Sequence, residues 1–464
     1  MRTILPFRLN KNAFKHVLES FVTNQHKTST SCAALFLSAP ASNQGKTTIT
    51  AALARYFTKQ GKQVRVFKTG PDYLDPQILA QASGHPVEQL DIWMAGDAYC
   101  QQKFYEAAQV ADLILVEGAM GMFDGEPSSA DLAARFNIPL AIVMDVKGMA
   151  QTAAALALGM ANCRQDINVA GLIANRCGSE RHAQLIRDAL PENLPLLASL
   201  KRDEDIVLPE RHLGLVQAAE VQDQLEQRFE AAVDWLMQSQ DNQLLKLPEQ
   251  VEFYPAEVSV QKEHLGLLQG KKIAIASDAA FSFIYDANLR CLKEMGAELC
   301  FFSPLNDTVF PQADALWLPG GYPELHTQAL AKNRLIKTQI QAFFAQGKPI
   351  LAECGGLLYS LNSLTDLNNE TYPMLGILTG EGAMRGKRGC QGMQTAILPH
   401  GEVRAHAHHR SRSQNTPEPF SYGRRQRHPA PGEAVYQEQG LTASYLHLFF
   451  PSNPVAIAAL FNRT

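Results

Sequence analysis

From Ala33 onward the chain alternates short, wholly apolar runs with longer stretches whose apolar positions recur every three or four residues. Residues 33–38, 64–68, 113–117, 140–145, 169–175 and 195–200 have the length and continuous apolar character of buried strands. Residues 46–60, 150–160 and 180–189 carry helical spacing between them. Strands that are apolar on both faces and separated by helices predict βαβ units. Such units build a mainly parallel sheet with helices on both sides.

The pattern fades from Gln238 to Gly270, a polar segment holding Pro248 and Pro255, which reads as a linker. It restarts at residues 272–276. A helix near residues 287–295, strands at 298–302 and 315–318, a helix ending at Gln346 and a strand at 349–353 follow. Beyond Leu375, glycines and turn residues interrupt the apolar runs, as in antiparallel strands joined by long loops. The expected fold class is α/β. An N-terminal extension (residues 1–30) precedes a P-loop domain with a mainly parallel sheet (31–240). A linker (241–270) then leads to a second α/β domain (271–464).

Composition narrows the function classes. At 464 residues the chain exceeds one ordinary domain, and 46% hydrophobic against 19% charged residues is a globular balance. A net charge of −4 gives no reason to expect nucleic acid or an anionic membrane as partner. Basic residues cluster locally at Arg424, Arg425 and Arg427 and at Arg385, Lys387 and Arg388, either as solvated loop charge or as a lure for a polyanionic substrate. Residues 1–15 lack the continuous apolar core of a signal peptide, and no stretch approaches the ~20 apolar residues of a membrane span. Eight scattered cysteines with no CxxC pair fit a reduced, cytoplasmic setting.

Two short segments carry chemistry. Between the first strand and first helix lies Ala39-Pro40-Ala41-Ser42-Asn43-Gln44-Gly45-Lys46-Thr47-Thr48. Backbone N–H groups of such a loop and the following helix N-terminus cradle phosphates. Asn43, Gln44, Gly45, Lys46, Thr47 and Thr48 are therefore the expected ATP contacts. Lys46 would reach the β/γ oxygens and the Thr47 hydroxyl would bind Mg²⁺, although Pro40 stands where a glycine is usual. Mg²⁺ needs further oxygen ligands. Glu117 ends an apolar strand, and Asp72 and Asp75 follow another in Lys68-Thr69-Gly70-Pro71-Asp72-Tyr73-Leu74-Asp75-Pro76. Thr47, Glu117 and Asp72 are the expected metal ligands, and Lys68, Asp72, Tyr73 and Asp75 the expected substrate contacts.

The second segment is Ala352-Glu353-Cys354-Gly355-Gly356-Leu357, a cysteine hemmed by glycines at a strand-to-helix turn. That turn exposes a nucleophile, and the helix N-terminus favours the thiolate. Catalysis also needs a base, and His447 is the polar member of the apolar run Tyr445-Leu446-His447-Leu448-Phe449. Backbone N–H groups at Gly320 and Gly321 could form an oxyanion hole.

These residues carry resemblances. The phosphate loop, the Lys68–Pro76 segment and Val116-Glu117-Gly118 resemble the dethiobiotin-synthetase-like ligases, which phosphorylate a carboxylate or carbamate with ATP. Residues 67–76, 118–125 and 175–182 resemble cobyrinic acid a,c-diamide synthases. The Gly-Gly, Cys-Gly-Gly and His order resembles class I glutamine amidotransferases of the cobyrinic acid branch, which work with Cys and His alone. Phe449 stands two past His447, so no third member is expected. Residues 404–411 depart from the branch, with Ala407 in place of an acid among His406, His408 and His409; a zinc site there is a minor alternative.

The resemblance implies a two-site enzyme. Cys354 and His447 would release ammonia from glutamine, and the N-terminal domain would use ATP and Mg²⁺ to activate a corrinoid polycarboxylate for amidation at its a and c acetates. Cobyrinic and hydrogenobyrinic acid are not distinguished, and assembly into homo-oligomers stays open. A cobyric acid synthase and a non-enzymatic nucleotide switch of the partitioning-ATPase type are the rival readings.

Overall fold

The computed structural model describes residues 29–208, 210–211, 214–215, 222–239, 242–257, 264–385 and 389–462. Lys387, Arg388 and residues 1–28 of the expected N-terminal extension lie outside them.

The first sheet is built on β1 (Thr30–Ser38), β2 (Val64–Thr69), β3 (Glu88–Leu90), β4 (Leu113–Glu117), β5 (Leu140–Asp145), β6 (Val169–Cys177) and β7 (Leu196–Lys201). Their order is β3-β2-β4-β1-β5-β6-β7, all parallel. Alternation along β1 shows why its run is continuously apolar. Ala33, Leu35 and Leu37 pack into one core with Ile49, Leu53 and Phe229, while Cys32, Ala34 and Phe36 pack into another with Phe104 and Ile142. Both faces are covered, so neither tolerates a polar residue.

The expected linker is in part structural. Gln250–Phe253, strand β8, runs antiparallel to β1, with Thr30 opposite Phe253 and Ala33 opposite Gln250. Val251 and Phe253 are buried and Glu252 is exposed, a two-residue period too short to stand out in the sequence. The first domain thus extends past residue 240, and its sheet has eight strands.

The second domain opens with four parallel strands, β9 (Lys272–Ala276), β10 (Glu298–Phe302), β11 (Ala315–Leu318) and β12 (Ile350–Glu353). An antiparallel extension follows, made of β13 (Gln391–Leu398), β14 (Gly401–His408), β15 (Ser421–Arg425) and β16 (Pro431–Glu438). Strand β17 (Leu441–Ser444) pairs parallel with β12 and antiparallel with β16, and the short β18 (His447–Leu448) closes on β14. The ten strands run β10-β9-β11-β12-β17-β16-β15-β13-β14-β18. Because β17 and β18 are consecutive in the chain yet separated by four strands in the sheet, the sheet curls and returns His447 toward β12.

The domains meet through a buried apolar cluster. Met94, Trp93, Tyr99 and Tyr73 come from the first domain, and Tyr285, Ala287 and Phe449 from the second. Polar contacts surround it. Arg290 pairs with Glu88 at 2.7 Å, Gln77 donates to the Ser282 carbonyl at 3.2 Å, and the Arg404 guanidinium lies 4.4 Å from the Trp93 ring centre.

Candidate active site

The phosphate loop leaves β1 and enters helix α1 (Lys46–Lys59) through left-handed turns at Asn43 (φ 62°) and Gly45 (φ 92°). A side chain on Gly45 would meet the Asn175 amide at 2.3 Å, so glycine is required by space as well as by angle. Asn175, at the end of β6, donates to the Gln44 carbonyl, and the Gln44 side chain accepts from the Asp145 N–H, each at 2.8 Å. These bonds fix the loop from behind. Nothing in the sequence reading gave Asn175 that part, because its partner lies 131 residues away.

Lys46 is buried, and its ammonium donates to the Met120 carbonyl at 2.8 Å and the Ala41 carbonyl at 3.4 Å. Burial lowers its pKa to about 8, against the pull of Glu117. Thr47 donates to Glu117 Oε1 at 2.7 Å and sits 3.3 Å from Asp75 Oδ2. Lys68 lies between the same carboxylates, 2.6 Å from Asp75 and 2.7 Å from Glu117. Burial alone would lower the Lys68 pKa; Asp75, Glu117 and Asp72 together override it and hold it high. Asp75 thus stands closer to the Thr47–Glu117 pair than Asp72 does. Asp72 Oδ1 accepts from the N–H groups of Leu74 and Asp75 at the start of helix α2 (Leu74–Ser83), and Oδ2 is 3.8 Å from Lys68. Burial, then Asp75, raises Asp72 to about 7.

The donor set fits Mg²⁺. Glu117 is fully buried, and its Oε2 has no hydrogen-bond partner among the described residues. No group of three or more His, Cys, Asp or Glu among those residues could hold a metal ion. An ion beside Thr47 and Glu117 would therefore take its remaining ligands from phosphate oxygens and water, the usual Mg²⁺ habit.

In the second domain, Cys354 follows β12 and caps the helix α3 (Gly355–Ser360) with φ 46° and ψ −98°. A non-glycine residue at such an angle is strained, as expected for a nucleophile held at a sharp turn. The two glycines after it are dictated by backbone approach. A methyl on Gly356 would stand 2.0 Å from the Leu318 carbonyl oxygen, and one on Gly355 would stand 2.9 Å from the Gly321 nitrogen. The amides of Gly321 and Gly355 are thereby gathered beside Cys354. Gly320 meets a further constraint. Its carbonyl accepts from the Phe283 N–H, and its Cα faces the imidazole of His447, which a methyl group would strike at 2.3 Å.

Cys354 and His447 are both buried. Burial pushes the Cys354 thiol above its usual range, Glu324 adds to this, and the Gly355 N–H opposes it. Burial, with His408 and His409 nearby, lowers His447 to about 3, so the imidazole is neutral. Its Nδ1 has no hydrogen-bond partner among the described residues. Instead its ring stacks on His406, with centres 4.8 Å apart and planes at 15°. Phe449 is wholly buried in the domain seam, 5.7 Å from the Tyr99 ring and 5.9 Å from that of Tyr285.

Two buried carboxylates had no assigned part in the sequence reading. Glu353 accepts from the Leu448 N–H and the Trp317 indole N–H, both at 2.8 Å, and burial raises it to about 8. It ties β12, which leads to Cys354, to β18, which carries His447. Glu324 is raised by burial to about 7 and lines the crevice with Cys354. Their placement next to Cys354 and within Gly320-Gly321-Tyr322-Pro323-Glu324 was the available signal.

One crevice of about 1240 Å³ joins the sites, reaching Lys46, Thr47, Asp72, Asp75 and Glu117 on one side and Gly321, Cys354 and His447 on the other. Arg425 and Arg427 line it, as do Lys201, Arg202 and Arg410. Arg424 instead pairs with Glu402 on the exposed surface, and Arg385 is not on the crevice wall.

Known proteins resemble nearly all of this chain. The hydrogenobyrinate a,c-diamide synthase of Stutzerimonas stutzeri (strain A1501) is 50% identical over 434 residues, covering 93% of this chain and 99% of the relative. That of Pseudomonas aeruginosa is 49% identical over 92% of this chain and 97% of its own. The cobyrinate a,c-diamide synthase of Herminiimonas arsenicoxydans is 45% identical over 92% and 96%. Residues 35–216 match the CobQ/CobB/MinD/ParA nucleotide binding domain, and residues 272–455 the CobB/CobQ-like glutamine amidotransferase domain.

Proposed function

From its membership in the cobyrinate and hydrogenobyrinate a,c-diamide synthase family, to which this chain belongs, we propose that it amidates the a and c acetate carboxylates of a corrinoid with ATP and glutamine. The observation that carries this reading is the single crevice containing both the phosphate loop and the Cys354–His447 dyad. A nucleotide switch has no use for a strained cysteine and a buried histidine lining the same crevice.

The chemistry divides between the two ends. At one end the Cys354 sulfur attacks the side-chain carbonyl carbon of glutamine. His447 takes the thiol proton and returns it to the departing nitrogen, so ammonia leaves and a glutamyl thioester remains for water to hydrolyse. The Gly321 amide, together with that of Gly320 as the sequence led us to expect or that of Gly355 close to it, would receive the oxyanion. At the other end a substrate carboxylate oxygen takes the γ-phosphoryl group of ATP, releasing ADP. Ammonia then attacks the acyl carbon and phosphate leaves, giving the carboxamide. Thr47 and Glu117 would hold Mg²⁺, which neutralises phosphate charge when bound. Lys46 and the loop amides would orient the phosphates, and Lys68 would hold Asp75 and Glu117 in place.

Arg425, Arg427, Lys201, Arg202 and Arg410, drawn from both domains, line the crevice and would meet the carboxylates of such a substrate, with Arg427 and Arg202 exchanging their pairs with Glu126 and Glu204. The test is a product assay with ATP, glutamine and either cobyrinic or hydrogenobyrinic acid. Mass spectrometry should find two carboxamides per corrinoid. Amidation of the a,c-diamide but not of the undecorated acid would assign the chain to cobyric acid synthesis instead.

A further inference from the structure

The loop after β2 does more than carry Asp72 and Asp75. Between them, Tyr73 sends its ring out of the first domain and into the second. There it stacks on Phe283 (centres 5.0 Å apart, planes at 5°) and on Tyr285 (4.3 Å, 23°). It also lies 5.2 Å from the ring of His447 and 5.6 Å from that of His406. A side chain of the ligase domain is thus packed against the base of the glutaminase. Its backbone neighbours belong to the Lys68–Asp75–Glu117 network next to the phosphate loop.

Tyr73 also stands in a wall. With Asp72 it lines the catalytic crevice on one side. On the other it lines a separate cavity of about 440 Å³ bounded by Pro76, Gln77, His85, Tyr285 and Asp286. The ring therefore has space behind it into which it could withdraw. A reason to withdraw lies on the same loop. Lys68 and Thr47 share Glu117 Oε1 and Asp75 Oδ2, so a cation and nucleotide arriving at Glu117 would redistribute the contacts that Lys68 makes with Asp72 and Asp75. Those residues are joined to Tyr73 by one and two peptide bonds.

We propose that Tyr73 is a coupling residue, whose ring restrains the glutaminase dyad until the ligase site fills. This rests on the assignment of Cys354 and His447 as the glutaminase. The logic is economic in glutamine: without such a device the dyad would hydrolyse glutamine and lose the ammonia to water whenever acceptor was absent. Only a residue covalently tied to the ligase loop and packed on the base can sense one site and restrain the other. Its effect is a positioning effect, since the tyrosine itself forms no bond to glutamine.

The experiment measures glutamate released and carboxamide formed by Tyr73→Ala and Tyr73→Phe at saturating acceptor, with free ammonia as an alternative nitrogen source. In the parent enzyme the ratio of glutamate to carboxamide should lie near one, and glutamate release should be slow without ATP and acceptor. Tyr73→Ala should raise both the ratio and the acceptor-free rate several-fold, and Tyr73→Phe, which keeps the stack, should keep the ratio near one whatever its effect on the overall rate. A ratio that stays near one in Tyr73→Ala while glutamine- and ammonia-dependent rates fall together would overturn the proposal and leave only a substrate contact. If Tyr73→Ala does not fold, as loss of the ammonia-dependent reaction would show, Phe283→Leu removes the facing ring and is held to the same two outcomes. Absence of any glutaminase activity in the parent enzyme would instead strike at the dyad assignment itself.

Discussion

Gly320→Ala gives a sharp test of how the base is held. The added methyl would sit 2.3 Å from His447 Cε1 and 2.9 Å from Nδ1, against an ordinary carbon contact of about 3.5–4.0 Å. The imidazole must retreat by about 1 Å or more. It cannot do so freely, because His406 stacks 4.8 Å away and Tyr73 5.2 Å away. Misplacing a catalytic group by about 1 Å costs on the order of 100-fold in rate, or about 2.7 kcal/mol of barrier. Glutamate release should therefore fall about 100-fold in kcat. Carboxamide formation from free ammonia should persist, because Gly320 lies in the other domain from the phosphate loop. The assay is a paired measurement of glutamine- and ammonia-dependent product at saturating ATP and acceptor. A glutamine-dependent kcat within threefold of the parent would refute this account of the site. Gly321→Ala is less informative, since its methyl would meet the Ala280 carbonyl oxygen at 2.1 Å and disturb backbone packing.

Other outcomes follow from the same geometry. Cys354→Ser should abolish use of glutamine while retaining amidation from high ammonia, read out as carboxamide by mass spectrometry. Lys46→Gln should lower ATP-dependent amidation from glutamine and from ammonia alike by ~100-fold or more, as expected for loss of a charge-stabilising contact; isothermal titration should show weakened ATP binding. His447, held near 3 when folded against an ordinary ~6.5, is neutral above both values. The unfolded chain binds the extra proton first as pH falls. Folding therefore loses up to about 1.4 kcal/mol per pH unit below ~6.5 from this residue until its folded pKa is reached. His447→Gln should flatten that part of the stability-versus-pH curve, and the parent His447 ring resonance should not titrate between pH 8 and 5. Glu353→Gln replaces one of two buried acceptors by a donor facing an N–H group, at a cost of about 1–3 kcal/mol, visible as a lowered denaturant midpoint.

The sequence was informative wherever chemistry and pattern were local. Strands β4 and β5 run over residues 113–117 and 140–145, the bounds that continuous apolar character had indicated. The phosphate loop and the Cys354 turn are contiguous motifs whose glycines carry their own steric reason. What was not legible depends on partners distant in the chain. Strand β8 has only four residues in a weak alternation, and its meaning comes from β1, some 220 residues earlier. Asp72 and Asp75 could not be ranked from sequence. Their separation depends on a helix start that turns Asp72 Oδ1 toward N–H groups and leaves Asp75 facing Thr47. Tyr73 was expected to touch substrate, and nothing near it in sequence announces Phe283, Tyr285 and His447 as its neighbours.

The missing third member of the dyad has a structural reason in the same seam. An acid at position 449 would sit wholly buried among Tyr99 and Tyr285, where an unpaired carboxylate costs several kcal/mol in desolvation. Phe449 instead contributes apolar contact that docks the two domains. Orientation of the base must then come from elsewhere, and three contacts supply it. Gly320 leaves room on one side of the imidazole, His406 stacks on it, and Glu353 secures the adjoining backbone through Leu448. None of these stabilises an imidazolium as a carboxylate beside Nδ1 would. Burial disfavours the charged form of both groups, raising the Cys354 thiol and lowering the His447 imidazole. Activity then depends on what enters the crevice and on how the domains sit, because Tyr73, whose ring lies 5.2 Å from that of His447, also belongs to the cluster that docks the two domains.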